Sequence, residues 1–107
     1  MFEALEVAVE MTREIREIVE AIHKRSAPLA DQLRRAVESV ALNLGEARWR
    51  SGKDRSNRYR IAAGSAQEAH TALRLAEAWG YVRGDRIERV LSLLDRLLAM
   101  LWKLTRR

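Results

Sequence analysis

The strongest constraint on this chain is a run of mostly small apolar residues near its centre. Tyr59, Ala62, Ala66, Ala69, Leu73 and Ala76 recur at steps of three and four, the spacing of one face of an α-helix. A face this small lets a second helix come close. The preceding segment supplies a candidate: Leu33, Val37, Val40 and Leu44 repeat with the same period, widened by Leu29, Ala36 and Ala47. Only Ser51-Gly52-Lys53-Asp54 separates the two stripes. A connection that short makes the two helices antiparallel neighbours.

The flanking segments follow the same rule. Residues 2–24 predict a first helix, with Phe2, Leu5, Val9, Thr12, Ile15, Val19 and Ile22 as its stripe. Arg25-Ser26-Ala27-Pro28 breaks it; Pro28 fits the first turn of a new helix, with Ser26 or Ala27 as its cap. The second helix is expected over residues 28–50. Gly52 suits a helix C-terminus that needs positive φ, and Asp54 or Ser56 can cap the third helix, which runs to about Trp79. Gly80 ends that helix, and Asp85 is the expected cap of a fourth over residues 86–105. One proline and five glycines leave the rest uninterrupted. The expectation is all-α: a single domain over residues 1–107, folded as an antiparallel up-down-up-down four-helix bundle.

Two apolar features exceed what one bundle requires. The fourth helix carries Ile87, Val90, Leu91, Leu94, Leu97, Leu98, Leu101 and Leu104, and also Leu93, Met100 and Trp102. That is wider than one core-facing stripe. Leu42 lies opposite Leu33 and Leu44 on the second-helix wheel. The surplus on the fourth helix predicts self-association, whereas Leu42 alone reads as an ordinary exposed leucine.

Several function classes are disfavoured. No run of about 18 apolar residues exists to cross a membrane. The first twenty residues carry acids where a signal peptide has a basic start, which predicts a cytoplasmic protein. Without cysteine there are no disulfides, thiolate metal sites or thiol nucleophiles. His23 falls among Lys24 and Arg25 at a helix end, and His70 flanks the third stripe; neither has a nucleophile or carboxylate pair beside it. Ser39, Asn43, Glu46 and Arg50 form a polar stripe on the second helix, and Ser65 and Glu68 flank the third. Carboxylate-bridged metal bundles pair such glutamates with a histidine three residues on. Here those positions are Trp49 and Thr71. The expected role is structural, with Asn43 and Glu46 meeting Ser65, Arg58 or Arg35 between the helices. No enzyme, metal or cofactor is expected.

Charge is unevenly spread. Residues 1–24 hold six acids against three bases, a net −3, so the remainder carries +8 of the chain's net +5. The densest basic cluster surrounds the second break: Arg48, Arg50, Lys53, Arg55, Arg58 and Arg60 against Glu46 and Asp54, with Trp49 and Tyr59 interleaved. Guanidinium groups match phosphate geometry, and aromatic rings stack on unpaired bases. The cluster predicts RNA or DNA binding through Arg48, Arg50, Lys53, Arg55 and Arg58, with Arg34 and Arg35 in support. The competing reading is a protein-interaction scaffold in which this surface need not touch nucleic acid.

These residues also resemble a known family. Gln32-Leu33-Arg34-Arg35-Ala36, then Ser39-Val40-Ala41-Leu42-Asn43-Leu44-Gly45-Glu46, is similar to the second-helix signature of the bacterial four-helix-bundle proteins encoded in 23S rRNA intervening sequences. Gly64-Ser65-Ala66-Gln67-Glu68 resembles their third-helix GS-x-x-E segment, and Gly80-Tyr81 its end. The usual Ala-Glu-Gly stands here as Gly45-Glu46-Ala47. The resemblance implies a ring-like homopentamer. It also implies kinship with the accessory proteins of diversity-generating retroelements, basic pentamers that bind nucleic acid and a reverse transcriptase. A reverse transcriptase is thus a possible protein partner.

Overall fold

Four helices account for almost all of the computed structural model, which describes residues 3–105: α1 (Glu3–His23), α2 (Ala27–Ala47), α3 (Gly52–Ala78) and α4 (Gly84–Thr105). Each packs on its chain neighbours, and α1 also packs on α4, closing the square of an up-down-up-down bundle. The bundle measures 42 × 22 × 20 Å. One end holds the α2–α3 turn; the other holds the α1–α2 and α3–α4 turns.

The ends follow from local chemistry. Ser26 caps α2, its hydroxyl accepting from the Leu29 N–H at 3.3 Å, and Pro28 occupies the first turn. At the end of α3 the Gly80 N–H donates to the Glu77 carbonyl (2.9 Å) and the Tyr81 N–H to that of Ala76 (2.8 Å). That is a Schellman closure, and Gly80 sits at φ +79° to make it.

Three boundaries differ from expectation. The second helix stops at Ala47, three residues early, because the N–H groups of Arg48, Trp49 and Arg50 bond to carbonyls three residues back. Gly52 does take positive φ (+59°), but it opens α3 rather than closing α2, and the capping position is Ser51 rather than Asp54 or Ser56. The fourth helix begins at Gly84, so Asp85 lies in its first turn, held by Arg83 at 3.1 Å.

The core is apolar throughout; among the described residues no polar or charged side chain is fully buried. The stripe of α3 is buried as expected, as are Leu33, Val37, Val40 and Leu44 of α2. The stripe of α1 is rotated from the expected one: Ala4, Val7, Ala8, Met11, Ile15, Ile18 and Ile22 are buried. Leu5 and Val19 are half-buried, and Thr12 is exposed, its hydroxyl donating to the Ala8 carbonyl at 2.9 Å. Phe2 lies outside the described residues. A corner helix faces two neighbours, so its buried arc is wider than one stripe. The same holds for α4, where Leu93 is buried and Leu91, Leu98, Met100 and Leu104 are half-buried against the core. Of its surplus apolar residues only Trp102 is exposed.

Because Ala66 is wholly buried between close helices, Ala66→Leu should overpack the seam and cost about 1–3 kcal/mol. Chemical denaturation measures this; an unchanged midpoint would mean that the seam has room to spare.

Candidate nucleic-acid interface

Polar groups line the α2–α3 seam on its solvent side. The hydroxyls of Ser39 and Ser65 are 2.7 Å apart. The Asn43 amide donates to the Ser39 carbonyl (2.8 Å) and hydroxyl (3.2 Å), and its own carbonyl oxygen accepts from Arg58 (3.2 Å). These contacts satisfy groups that are costly to leave unpaired. The expected contact of Asn43 with Arg58 is present, whereas Ser65 meets Ser39 and Glu46 pairs with Arg50.

The turn between α2 and α3 is braced twice. Arg50 donates to Glu46 (2.9 Å) behind it and to Asp54 (3.2 Å) ahead of it. Arg55 folds back, its Nε donating to the carbonyls of Ala47 (3.2 Å) and Arg50 (2.8 Å). It thereby caps the end of α2, whose last carbonyls lack helical partners.

The seven arginines and lysines expected at the site therefore separate into groups. Arg50 and Arg55 hold the turn. Arg58 is half-buried against Asn43, its Nε enclosed without a partner. Arg34 and Arg35 both pair with Asp31, and Arg34 also with Glu38. They stand fourteen and thirteen residues before Arg48, about 20 Å along the helix. Arg34 lines a groove of about 510 Å³ between α1 and α2, floored by Ile15, Val19 and Val37. The structure does not bring this pair to the turn. Arg48 and Lys53 remain: both exposed, at the turn, without an ion pair or side-chain hydrogen bond among the described residues. Arg60 is exposed farther along α3, likewise without an ion pair among the described residues. Ser51 makes no side-chain cap, so it leaves the first-turn N–H groups of α3 uncapped.

The aromatic residues divide similarly. At the far end Trp79 stacks on Tyr81 (centroids 6.3 Å apart), and Arg25 lies 5.5 Å over the Tyr81 ring. At the turn, Trp49 is 84% exposed and its ring has no partner among the described residues. Of the outer apolar face the sequence singled out only Leu42. Leu42 (71% exposed), Ile61, Leu75 and Trp79 flank the α2–α3 seam on its solvent side. The two histidines stand apart: His23 is exposed at the end of α1, and His70 lies 3.5 Å from Asp95 on α4.

The brace has an electrostatic signature. The hydrogen bond from Arg50, then its charge, then that of Arg58, hold the Glu46 carboxyl below the ordinary glutamate range. Its hydrogen bond to Glu46, with the charges of Asp54 and Glu46, keeps Arg50 more firmly protonated. A lowered carboxyl pKa stabilises the fold above the unfolded value, and that contribution disappears as pH falls through the folded one. In an NMR titration Glu46 should therefore titrate below ordinary glutamates and move back up in Arg50→Gln. Identical titration in both proteins would remove the brace from the account.

Comparison with known proteins agrees with this architecture. The fold matches the crystal structure of a protein of unknown function from the S23 ribosomal protein family of Bacteroides thetaiotaomicron. The TM-score is 0.88 at 18% identity, covering 97% of this chain and 99% of that one. No curated protein matches the chain. Residues 2–103 match the family model described as 23S rRNA-intervening sequence protein. The chain belongs to the 23S rRNA-intervening sequence protein family.

Proposed function

We propose that this protein is a non-enzymatic, oligomeric helical bundle that binds nucleic acid at the α2–α3 turn. The observation that carries this reading is the pair of unengaged cations, Arg48 and Lys53, on a turn whose other arginines are occupied in holding it rigid. Unengaged cations on a held backbone, at the N-terminus of a helix, suit phosphate oxygens. The family takes its description from 23S rRNA intervening sequences, which makes RNA the first ligand to test. Affinity comes mainly from phosphate neutralisation and falls steeply with salt. In titrations of a labelled RNA hairpin at two or more salt concentrations, Arg48→Glu with Lys53→Glu should abolish most binding. Neutralising both residues should lower the salt slope by about 2. Hairpin binding that ignores both salt and the double reversal defeats the proposal.

Assembly is the second element, and a homopentamer is what the family resemblance implies. Its support lies on α2 and α3 rather than α4. Leu42 and Ile61 are exposed, each three residues before a glycine: Gly45 in the last turn of α2 and Gly64 in mid-α3, where an added Cβ would meet nothing within 4 Å. Mid-helix glycine costs about 1 kcal/mol relative to alanine, and nothing in the protomer requires it here. A second chain packed against the helix backbone supplies the requirement. In light scattering the wild type should exceed a monomer and Leu42→Glu should reduce it. Gly64→Ala should stabilise the isolated protomer by about 0.5–1 kcal/mol while weakening assembly. A wild type that is monomeric at micromolar concentration sinks this element.

The same apolar face favours the second reading, a scaffold that docks another protein such as a reverse transcriptase without direct nucleic-acid contact. A protein that co-purifies through nuclease treatment and high salt, and is lost with Leu42→Glu, identifies that case.

A further inference from the structure

We infer that Trp49 is a stacking platform for an unpaired base, so that the ligand of the turn is a single strand or a looped nucleotide rather than a continuous duplex. This rests on the nucleic-acid reading above and deepens it.

Three observations converge. First, Trp49 is 84% exposed, more than either other tryptophan. Trp79 has Tyr81 to stack on, whereas the Trp49 ring has no partner among the described residues. Leaving an indole in water forfeits one of the largest apolar burials any side chain offers. Second, its backbone is held. The Trp49 N–H donates to the Glu46 carbonyl at 3.1 Å, and the arginine brackets fasten the residues on either side. Arg55 grips the carbonyls of Ala47 and Arg50, and Arg50 spans from Glu46 to Asp54. The turn displays its most apolar side chain on a fixed support, which lowers the ordering cost of binding. Third, the unengaged cations flank it: Arg48 is the preceding residue and Lys53 follows four residues later.

The chemistry of a ligand follows from that arrangement. A flat apolar ring with an unengaged cation on either side of it in the chain complements a flat base attached to a phosphodiester. Bases within a duplex keep their faces stacked on each other, so only an unpaired base can present one to the indole. A purely apolar protein partner would leave Arg48 and Lys53 without counter-charges.

The test uses the full-length protein and two ligands of matched length and charge, a single-stranded RNA and a fully paired duplex. Wild type, Trp49→Ala, Trp49→Phe and Trp49→Leu are compared, together with Arg48→Glu/Lys53→Glu. The ring is exposed, so these variants should fold, and circular dichroism checks that they do. Trp49→Ala should weaken single-strand binding by about 5- to 100-fold, as expected when one base loses its stacking partner. Its duplex affinity should stay within about twofold and its salt slope should be unchanged. Trp49→Phe should retain most single-strand affinity, and Trp49→Leu should behave like alanine. Equal losses on both ligands overturn the inference, as does a leucine variant that binds like phenylalanine. So does a Trp49→Ala protein whose main change is a smaller assembly in light scattering, which assigns the ring to a protein interface. If Trp49→Ala binds normally while the charge reversal abolishes binding, the stacking inference fails and the nucleic-acid reading stands. If the wild type binds neither ligand at low salt, both fail.

Discussion

The close packing of α2 on α3 is the contact on which the rest of the molecule depends. Alanine at Ala62, Ala66, Ala69 and Ala76 keeps that side of α3 thin, which favours the short end of helix–helix separations. Short side chains can then reach across the seam. A serine hydroxyl extends only one bond beyond Cβ, so Ser39 and Ser65 meet at 2.7 Å only because the backbones are near. Proximity carries a cost, since alanine buries little apolar area. The large side chains of the core come chiefly from the other three helices: Met11, Ile22, Leu33, Leu44, Leu94, Leu97 and Leu101 are all fully buried.

Sequence periodicity revealed most of this fold because burial and helical period are the same information seen twice. The stripes of α2 and α3 transferred almost residue for residue. The α1 stripe did not, because its apolar residues occupy a broad arc through which the helical period allows more than one stripe. Choosing Leu5 and Val9 over Val7 and Met11 split that arc wrongly. The breadth of α4 is of the same kind. What looked like surplus surface is largely spent on α1 and α3, and the exposed apolar face lies instead along Leu42, Ile61, Leu75 and Trp79. Caps were less legible. Asp54 and Ser56 are good capping types, but the chain turns earlier, at Gly52, where positive φ is tolerated.

The candidate site was legible as a location and illegible in its division of labour. Every arginine near the turn is the same symbol in the sequence, yet Arg55 caps a helix, Arg50 links two carboxylates, Arg58 enters the seam and Arg48 stays in water. A guanidinium on a flexible stem takes whichever acceptor the fold brings within reach, and that is a tertiary fact. Arg34 and Arg35 illustrate the converse. Their nearest acids, Asp31 and Glu38, lie three or four residues away on the same helix, a spacing readable from the sequence alone.

The two ends of the bundle then differ in a way that composition hides. Both carry a tryptophan and arginines near a turn. At the α3–α4 end Arg25 lies over Tyr81 and Tyr81 stacks on Trp79, while Lys24 and Arg86 stay exposed. At the α2–α3 end the arginines that find partners serve the backbone and its acids, while Trp49, Arg48 and Lys53 are left to solvent. A turn needs its carbonyls capped and its carboxylates neutralised; neither task uses the exposed indole or the two free cations. Holding the backbone still while leaving those three side chains unengaged separates the contacts that stabilise the turn, which end at the main chain and its carboxylates, from the groups on which the proposed binding rests.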